Sequence, residues 1–261
     1  MILIIVTALI PVLILGWWIY QKDSLRPEPP RVLYKAFLYG VGSAFLTLVI
    51  GQFLNMVGLY VNDLGSFAGA VSTALFAAAL PEECSKLLML WLFLRKNPYY
   101  DEYLDGIVYA ACVGLGFAAT ENVMYLLSAS DWIGTGIIRG LTAVPAHFAI
   151  AIAMGYFYSK RHFGDRTKIT AACILAVPVI IHWVYDALAF SGGIYPALSV
   201  VINILFVLLL WRVYRGTIGR IRDLQQKDQA RMTPPPLPGN GMATPPLLPG
   251  RENYDNHLPQ A

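Results

Sequence analysis

The chain has 261 residues, of which 57% are hydrophobic and only 13% are charged, and its formal net charge is +3. A soluble domain would carry about one charged residue in four, so this composition excludes a soluble globular protein and indicates a polytopic membrane protein. The three cysteines lie in apolar stretches without a CxxC spacing. This pattern predicts packing residues instead of disulfides or metal ligands.

Seven apolar segments follow one another along the chain, and each has about the 20 residues that a helix needs to cross a bilayer. They cover residues 2–20, 36–60, 66–94, 106–128, 137–158, 169–190 and 195–214. No basic region or small-residue cleavage site accompanies the first segment, which predicts a retained span instead of a cleaved signal peptide. We therefore predict an all-α, polytopic membrane helix bundle with about seven transmembrane helices.

The basic residues predict the orientation of these helices. Of the 19 Lys and Arg residues, 17 lie in the loops after segments one, three and five or from residue 212, at the end of segment seven, onward. The alternate loops carry none, and Lys86 and Arg139 lie inside segments. Because basic loops stay on the cytoplasmic side, the N-terminus should be outside and the C-terminus cytoplasmic.

The C-terminal residues 227–261 differ in composition from residues 1–226, which form the predicted transmembrane domain. They contain two related proline-rich repeats, TPPPLPG at 233–239 and TPPLLPG at 244–250. Such a segment cannot bury a core, which predicts a disordered, Pro-rich cytoplasmic tail. A solvated tail is favoured over a proline motif that binds a partner, although both readings stay open.

Several ionisable residues lie inside the apolar segments, where charges are costly and usually face a bundle interior or a water-filled cavity. Five of them lie at a similar distance from the cytoplasmic ends of their segments. That distance is 12–15 residues for Glu82, Glu83, Glu121, His147 and His182. A helix rise of 1.5 Å per residue places them all roughly 18–22 Å above the cytoplasmic boundary. This shared depth predicts one site instead of scattered polar packing. The set is Glu82, Glu83, Lys86, Glu121, His147, His182 and Asp186.

The stretch PEECSK, residues 81–86, predicts pairing on one helix face. Lys86 lies four residues after Glu82 and three after Glu83, so either carboxylate can meet the ammonium. One lysine cannot neutralise both glutamates, so the excess carboxyl group is protonated, bound to a metal, or held as a base for water. Pro81 predicts that the helix kinks or restarts there, with both glutamates in a first turn.

The two histidines and the nearby carboxylates are a natural environment for zinc. His182 and Asp186 are four residues apart, a spacing at which a carboxylate can orient an imidazole. A metal site would use His147, His182 and Glu121, with a further glutamate as general base. The sequence has no HExxH motif.

Three further features carry structural predictions. The run GLGFAAT, residues 114–120, is rich in small residues and predicts the close approach of a neighbouring helix. Asp105 should be the N-cap of segment four. Arg139 should extend to the outer interface, with Asp131 or a substrate carbonyl as the alternative partner.

Three motifs in this order resemble a known family. PEECSK fits EExxK, FAATE at 117–121 fits FxxxE, and HWVYD at 182–186 fits HxxxD. Together they resemble the PrsW family of bacterial intramembrane proteases, which is related to the CAAX prenyl protease and bacteriocin-immunity membrane proteases. The resemblance covers about residues 78–190 and does not include the tail.

The resemblance implies an endopeptidase that lies in the bacterial cell (cytoplasmic) membrane and cuts a membrane-embedded protein. In founding members of the family the substrate is an anti-sigma factor, which is cut on its extracytoplasmic side. It implies Glu82 or Glu83 as the group that activates water, with Phe117 and Lys86 in supporting positions. The remaining catalytic positions are Glu121, His147, His182 and Asp186. Zinc and a metal-free glutamate mechanism both stay open, and no nucleic-acid partner is expected. The alternatives are a proton-coupled transporter and a non-enzymatic membrane sensor.

Overall fold

A computed structural model describes residues 1–23, 26–60, 64–192, 194 and 198–232. The regular structure in these ranges is helical. The α-helices are α1 (Ile2–Tyr20), α2 (Pro30–Met56), α3 (Phe67–Thr73), α4 (Leu80–Leu94), α5 (Tyr103–Ser128), α6 (Trp132–Leu141), α7 (Ala143–Phe163), α8 (Lys168–Ser191) and α9 (Ser199–Met232). A π-helical segment, Ala74–Ala79, joins α3 to α4.

The all-α membrane architecture predicted from the sequence is confirmed. Within the described ranges, six helical stretches are long and apolar enough to span a bilayer: Ile2–Tyr20, Pro30–Met56, Tyr103–Ser128, Trp132–Phe163, Lys168–Ser191 and Val200–Met232. The predicted segment 66–94 corresponds to α3, the π-helical segment and α4 in succession. The count of seven spans and the orientation of the termini stay predictions.

Helix α5 is the centre of the bundle, and its side chains are buried along most of its length. Its glycines allow two neighbours to come very close. A Cβ on Gly116 would lie 2.0 Å from the backbone oxygen of Phe37 in α2, and a Cβ on Gly114 would lie 2.5 Å from the Cβ of Ala151 in α7. The close approach predicted from the small residues of this segment is therefore confirmed.

The N-terminus of α5 differs from the prediction. The N-cap is Glu102, and Asp105 is the third residue of the helix, where its carboxylate accepts the backbone N–H of Glu102 at 2.7 Å. The prediction of Asp105 as the N-cap was wrong because the helix begins one turn earlier, at Tyr103. The two side chains form a reciprocal capping box that satisfies otherwise unpaired backbone donors.

The long helix α9 links the C-terminal part of the chain to the start of α5. The carboxylate of Asp228 accepts the backbone N–H groups of Tyr103 at 2.7 Å and Leu104 at 2.8 Å. Helix α9 continues to Met232, past the predicted start of the tail at residue 227. Both proline-rich repeats lie in residues 233–261, outside the described residues, so the disordered tail stays a prediction.

Candidate active site

The PEECSK stretch begins α4, directly after the π-helical segment. Pro81 lies in the first turn of α4, as predicted, where the helical backbone changes from the π-helical to the α-helical pattern. Both glutamates of the first turn point into the bundle: Glu82 is 7% exposed and Glu83 is fully buried. A π-helical turn breaks the regular i→i−4 ladder, and such turns occur often at functional sites.

Lys86 joins the two glutamates, as its spacing predicts. Its Nζ lies 2.8 Å from Glu83 Oε1 and 3.3 Å from Glu82 Oε2, and the lysine is 1% exposed. The same Nζ lies 3.1 Å from His147 Nδ1 and 3.8 Å from the centroid of the Phe117 ring. The aromatic face gives the buried ammonium a further favourable contact. This single group therefore connects α4, α5 and α7.

The contacts of His147 identify the tautomer of its ring. The ammonium of Lys86 can only donate, so Nδ1 must accept. Nε2 then carries the proton and donates to Glu121 Oε2 at 2.8 Å. The ring also packs edge-on against Phe117, with 5.2 Å between the ring centroids. His147 is thus held as a neutral imidazole in a fixed orientation, with both nitrogens engaged.

His182 is held by carboxyl groups on both sides of its ring. Nδ1 lies 2.7 Å from Glu83 Oε1, and Nε2 lies 3.2 Å from Asp186 Oδ2 and 3.7 Å from Glu82 Oε2. The contact with Asp186 confirms the pairing predicted from the four-residue spacing within α8. Carboxylates only accept hydrogen bonds, so this arrangement is satisfied when both nitrogens of His182 donate.

Arg139 lies in the site and does not extend to the interface. Its Nη2 donates to Glu121 Oε2 at 2.6 Å and its Nε to Asn122 Oδ1 at 3.0 Å. The predicted interfacial position and the alternative pairing with Asp131 were therefore wrong, whereas contact with a substrate carbonyl stays a prediction. The reason is a break at Thr142, where φ is −121° and ψ is −66°. The break separates α6 from α7 and turns Arg139 toward α5.

The structure brings together all the polar residues that the sequence placed at one depth. The groups come from four helices, α4, α5, α7 and α8. Two participants lay outside the prediction, Arg139 and Asn122. The side-chain amide of Asn122 also donates to the backbone oxygen of Ala8 at 3.0 Å and so ties the site to α1. A polar residue one position after Glu121 was the available signal for this contact.

Comparison with known proteins identifies the family. The sequence model described as "PrsW family intramembrane metalloprotease" matches residues 28–212. The chain belongs to the PrsW family. It is 34% identical to "Protease PrsW" of Clostridioides difficile (strain 630) over 225 residues, which cover 84% of this chain and 92% of the relative. No solved structure matches the chain.

Two further PrsW relatives are similar to the chain over most of both sequences. "Protease PrsW" of Geobacillus kaustophilus is 32% identical over 74% of this chain and 81% of the relative. "Protease PrsW" of Bacillus subtilis is 29% identical over 80% of this chain and 90% of the relative. The match extends well beyond the predicted 78–190. The resemblance to PrsW proteases is therefore confirmed, and with it a bacterial membrane protein with several membrane-spanning helices.

The PrsW family description includes a metal, and the donors of this chain can be tested against one. Glu82, Glu83, His147 and His182 each offer a ligand atom, all within 4.8 Å of one another. These donor types suit zinc. This group differs from the predicted ligand set, because Glu121 is not among its four members. However, Lys86 Nζ already contacts three of the four residues, so the arrangement as it stands does not fit a metal ion.

Proposed function

We propose that this PrsW-family chain is an intramembrane endopeptidase of the glutamate type. Its substrate would be a membrane-anchored protein, with an anti-sigma factor as the expected class, cut toward the extracytoplasmic side. The observation that carries the proposal is the cluster of ionisable groups between α4, α5, α7 and α8. A water-activating carboxylate, a cationic lysine and two oriented imidazoles there lie within hydrogen-bond reach of one another.

Glu82 is better placed than Glu83 to be the general base. The Oε1 of Glu83 already contacts both Lys86 and His182 at 2.7–2.8 Å, and the residue is fully buried. Glu82 keeps some exposure, and its contacts with Lys86 and His182 are longer, at 3.3 and 3.7 Å. A base must reach water and must not be tied up in strong hydrogen bonds. These differences favour Glu82.

In the proposed reaction, the Glu82 carboxylate takes one proton from a water molecule while the water oxygen bonds to the scissile carbonyl carbon. The carbonyl oxygen becomes an oxyanion, which His182 stabilises by its positive charge: its Nε2 lies 3.7 Å from Glu82 Oε2, while its two N–H groups stay bonded to Glu83 and Asp186. The C–N bond then breaks, and Glu82 returns its proton to the leaving nitrogen. Glu83 and Asp186 hold His182 in its donating orientation.

The remaining groups position these reactants. Glu121 fixes the tautomer of His147, and Arg139 holds Glu121 through a 2.6 Å contact. Four carboxyl groups thus face three groups that can carry positive charge, Lys86, Arg139 and His182. This near balance lowers the cost of keeping ionised side chains inside a membrane bundle.

Reconstitution tests this function directly. Purified protein in proteoliposomes should cleave a co-reconstituted single-span membrane protein, and mass spectrometry of the fragments should place the cut in the outer half of the substrate helix. Glu82→Gln should lower the rate about 10³-fold, within the range known for a lost general base. Asp223→Asn, a change at a half-exposed carboxylate in α9, is the matched control and should keep the wild-type rate. Proton flux without cleavage would overturn the proposal and favour a transporter.

A further inference from the structure

Lys86 lies where a metal ion would have to lie. Its Nζ is 2.8 Å from Glu83 Oε1, 3.3 Å from Glu82 Oε2 and 3.1 Å from His147 Nδ1. These contacts involve three of the four residues whose donor atoms lie within 4.8 Å of one another. The ammonium therefore occupies the middle of the donor group.

A zinc ion and this ammonium cannot share the position. Zinc binds oxygen and nitrogen ligands at about 2.0–2.2 Å, so an ion bound to these donors would lie among the same atoms that Nζ contacts. Lys86 also has little freedom to withdraw, because it is 1% exposed and its ammonium lies 3.8 Å from the Phe117 ring centroid. Moving it would leave a buried charge without partners, which costs several kcal/mol.

The imidazoles are also fully engaged. His147 accepts from Lys86 at Nδ1 and donates to Glu121 at Nε2. His182 faces Glu83 with Nδ1 and Asp186 with Nε2. A metal ligand needs a free imidazole nitrogen lone pair. Neither ring has an uncommitted nitrogen, so a metal would have to displace an existing contact at each one.

We infer that Lys86 supplies the cation of this site and excludes a divalent metal from the donors around it. The ammonium lies between the two glutamates and keeps Nδ1 of His147 unprotonated. A bound metal ion would position these side chains in the same way. The role of Lys86 in hydrolysis rests on the proposed function. The exclusion of metal does not, because it follows from the contacts alone.

Metal analysis tests this inference without a protease assay. Full-length protein is purified in detergent without chelator, and its metal content is measured by plasma mass spectrometry before and after dialysis against zinc. The wild type should retain less than about 0.1 zinc per chain. Lys86→Met, which keeps most of the side-chain length but removes the ammonium, should free the donors and bind about one zinc, about 100-fold more tightly than the wild type. Lys86→Arg restores a cation and should again exclude zinc.

Cobalt titration of the wild type gives an answer that does not depend on the folding of a variant. The inference predicts no tetrahedral cobalt absorption at a tenfold excess of Co²⁺ over protein. One equivalent of zinc in the wild type, or a tetrahedral cobalt spectrum that His147→Ala abolishes, would overturn it. A folded Lys86→Met variant that binds no zinc would also overturn it, because the donors would then not form a cation site. Failure to find a cleaved substrate would affect only the proposed function.

Discussion

The ion pair between Arg139 and Glu121 should couple α6 to α5 with a measurable free energy. The two side chains are only 16% and 15% exposed, and their closest atoms are 2.6 Å apart. Charge centres in such a contact are roughly 4 Å apart, which gives about 4 kcal/mol at an effective dielectric constant of 20. Residual exposure reduces this, so we expect a coupling free energy of about 2 kcal/mol.

A double-mutant cycle measures this coupling free energy between Arg139 and Glu121. Arg139→Gln alone should lower the free energy of unfolding by about 3 kcal/mol, because Glu121 is left as a buried charge with one partner fewer. Unfolding of the wild type, Arg139→Gln, Glu121→Gln and the double variant would be followed by circular dichroism in mixed micelles with increasing SDS. The double variant should be about 2 kcal/mol more stable than the sum of the single effects predicts.

The chain offers a matched control for that cycle. Lys227 and Asp223 in α9 are also 2.6 Å apart, but their side chains are 36% and 39% exposed. Their coupling should be below about 0.5 kcal/mol, as for other exposed i,i+4 pairs. If the Arg139–Glu121 cycle gave a value as small as the control, the pair would contribute nothing to the site, and the structural reasoning for it would be wrong.

Three other expectations concern packing, pH and a hydrogen bond between helices. Gly116→Ala should destabilise the bundle by at least about 2 kcal/mol in the same assay, because the new Cβ would lie 2.0 Å from the backbone oxygen of Phe37. Gly16→Ala is the control and should be tolerated, because a Cβ there would lie 3.7 Å from its nearest atom. Burial, with nearby acidic groups, raises the pKa of Glu102 to about 7 from its ordinary 4.5. Its stabilising contribution is therefore complete below about pH 4.5 and lost as pH rises through 7, so Glu102→Gln should flatten that part of a stability–pH curve. Trp183→Phe removes a 2.9 Å hydrogen bond to a backbone carbonyl of α3 and should cost about 1 kcal/mol in SDS unfolding, and an unchanged stability would contradict this bond.

The sequence predicted the composition of the site because depth in a membrane helix is a simple count of residues. Glu83, His147 and His182 come from three helices, and the rise per residue alone placed them in one layer. The local pairs were predicted for a similar reason, since Lys86 and Asp186 follow their partners at helical spacing. These inferences need only regular geometry and the cost of burying charge.

Two features that could not be predicted, the position of Arg139 and the π-helical segment, depend on irregular backbone. Pro145 indicates a weakened helix near Thr142, because it cannot donate a hydrogen bond to the carbonyl of Leu141, but it does not indicate that Arg139 then lies beside Glu121. The π-helical segment Ala74–Ala79 contains only small and apolar residues that also suit an α-helix. Such departures arise from packing against neighbouring helices, which a single sequence does not reveal.

These irregularities lie where the polar side chains enter the bundle. The π-helical segment ends three residues before Glu82, the break at Thr142 comes five residues before His147, and Pro178 in α8 is four residues before His182. In a membrane, a backbone group that leaves the helical ladder must find another partner, so irregular backbone is tolerated only inside protein or beside a water-filled cavity. Three such positions beside three ionisable side chains favour a site that water can enter. A hydrolytic reaction requires this, whereas a purely structural charge cluster would be more stable on regular helices.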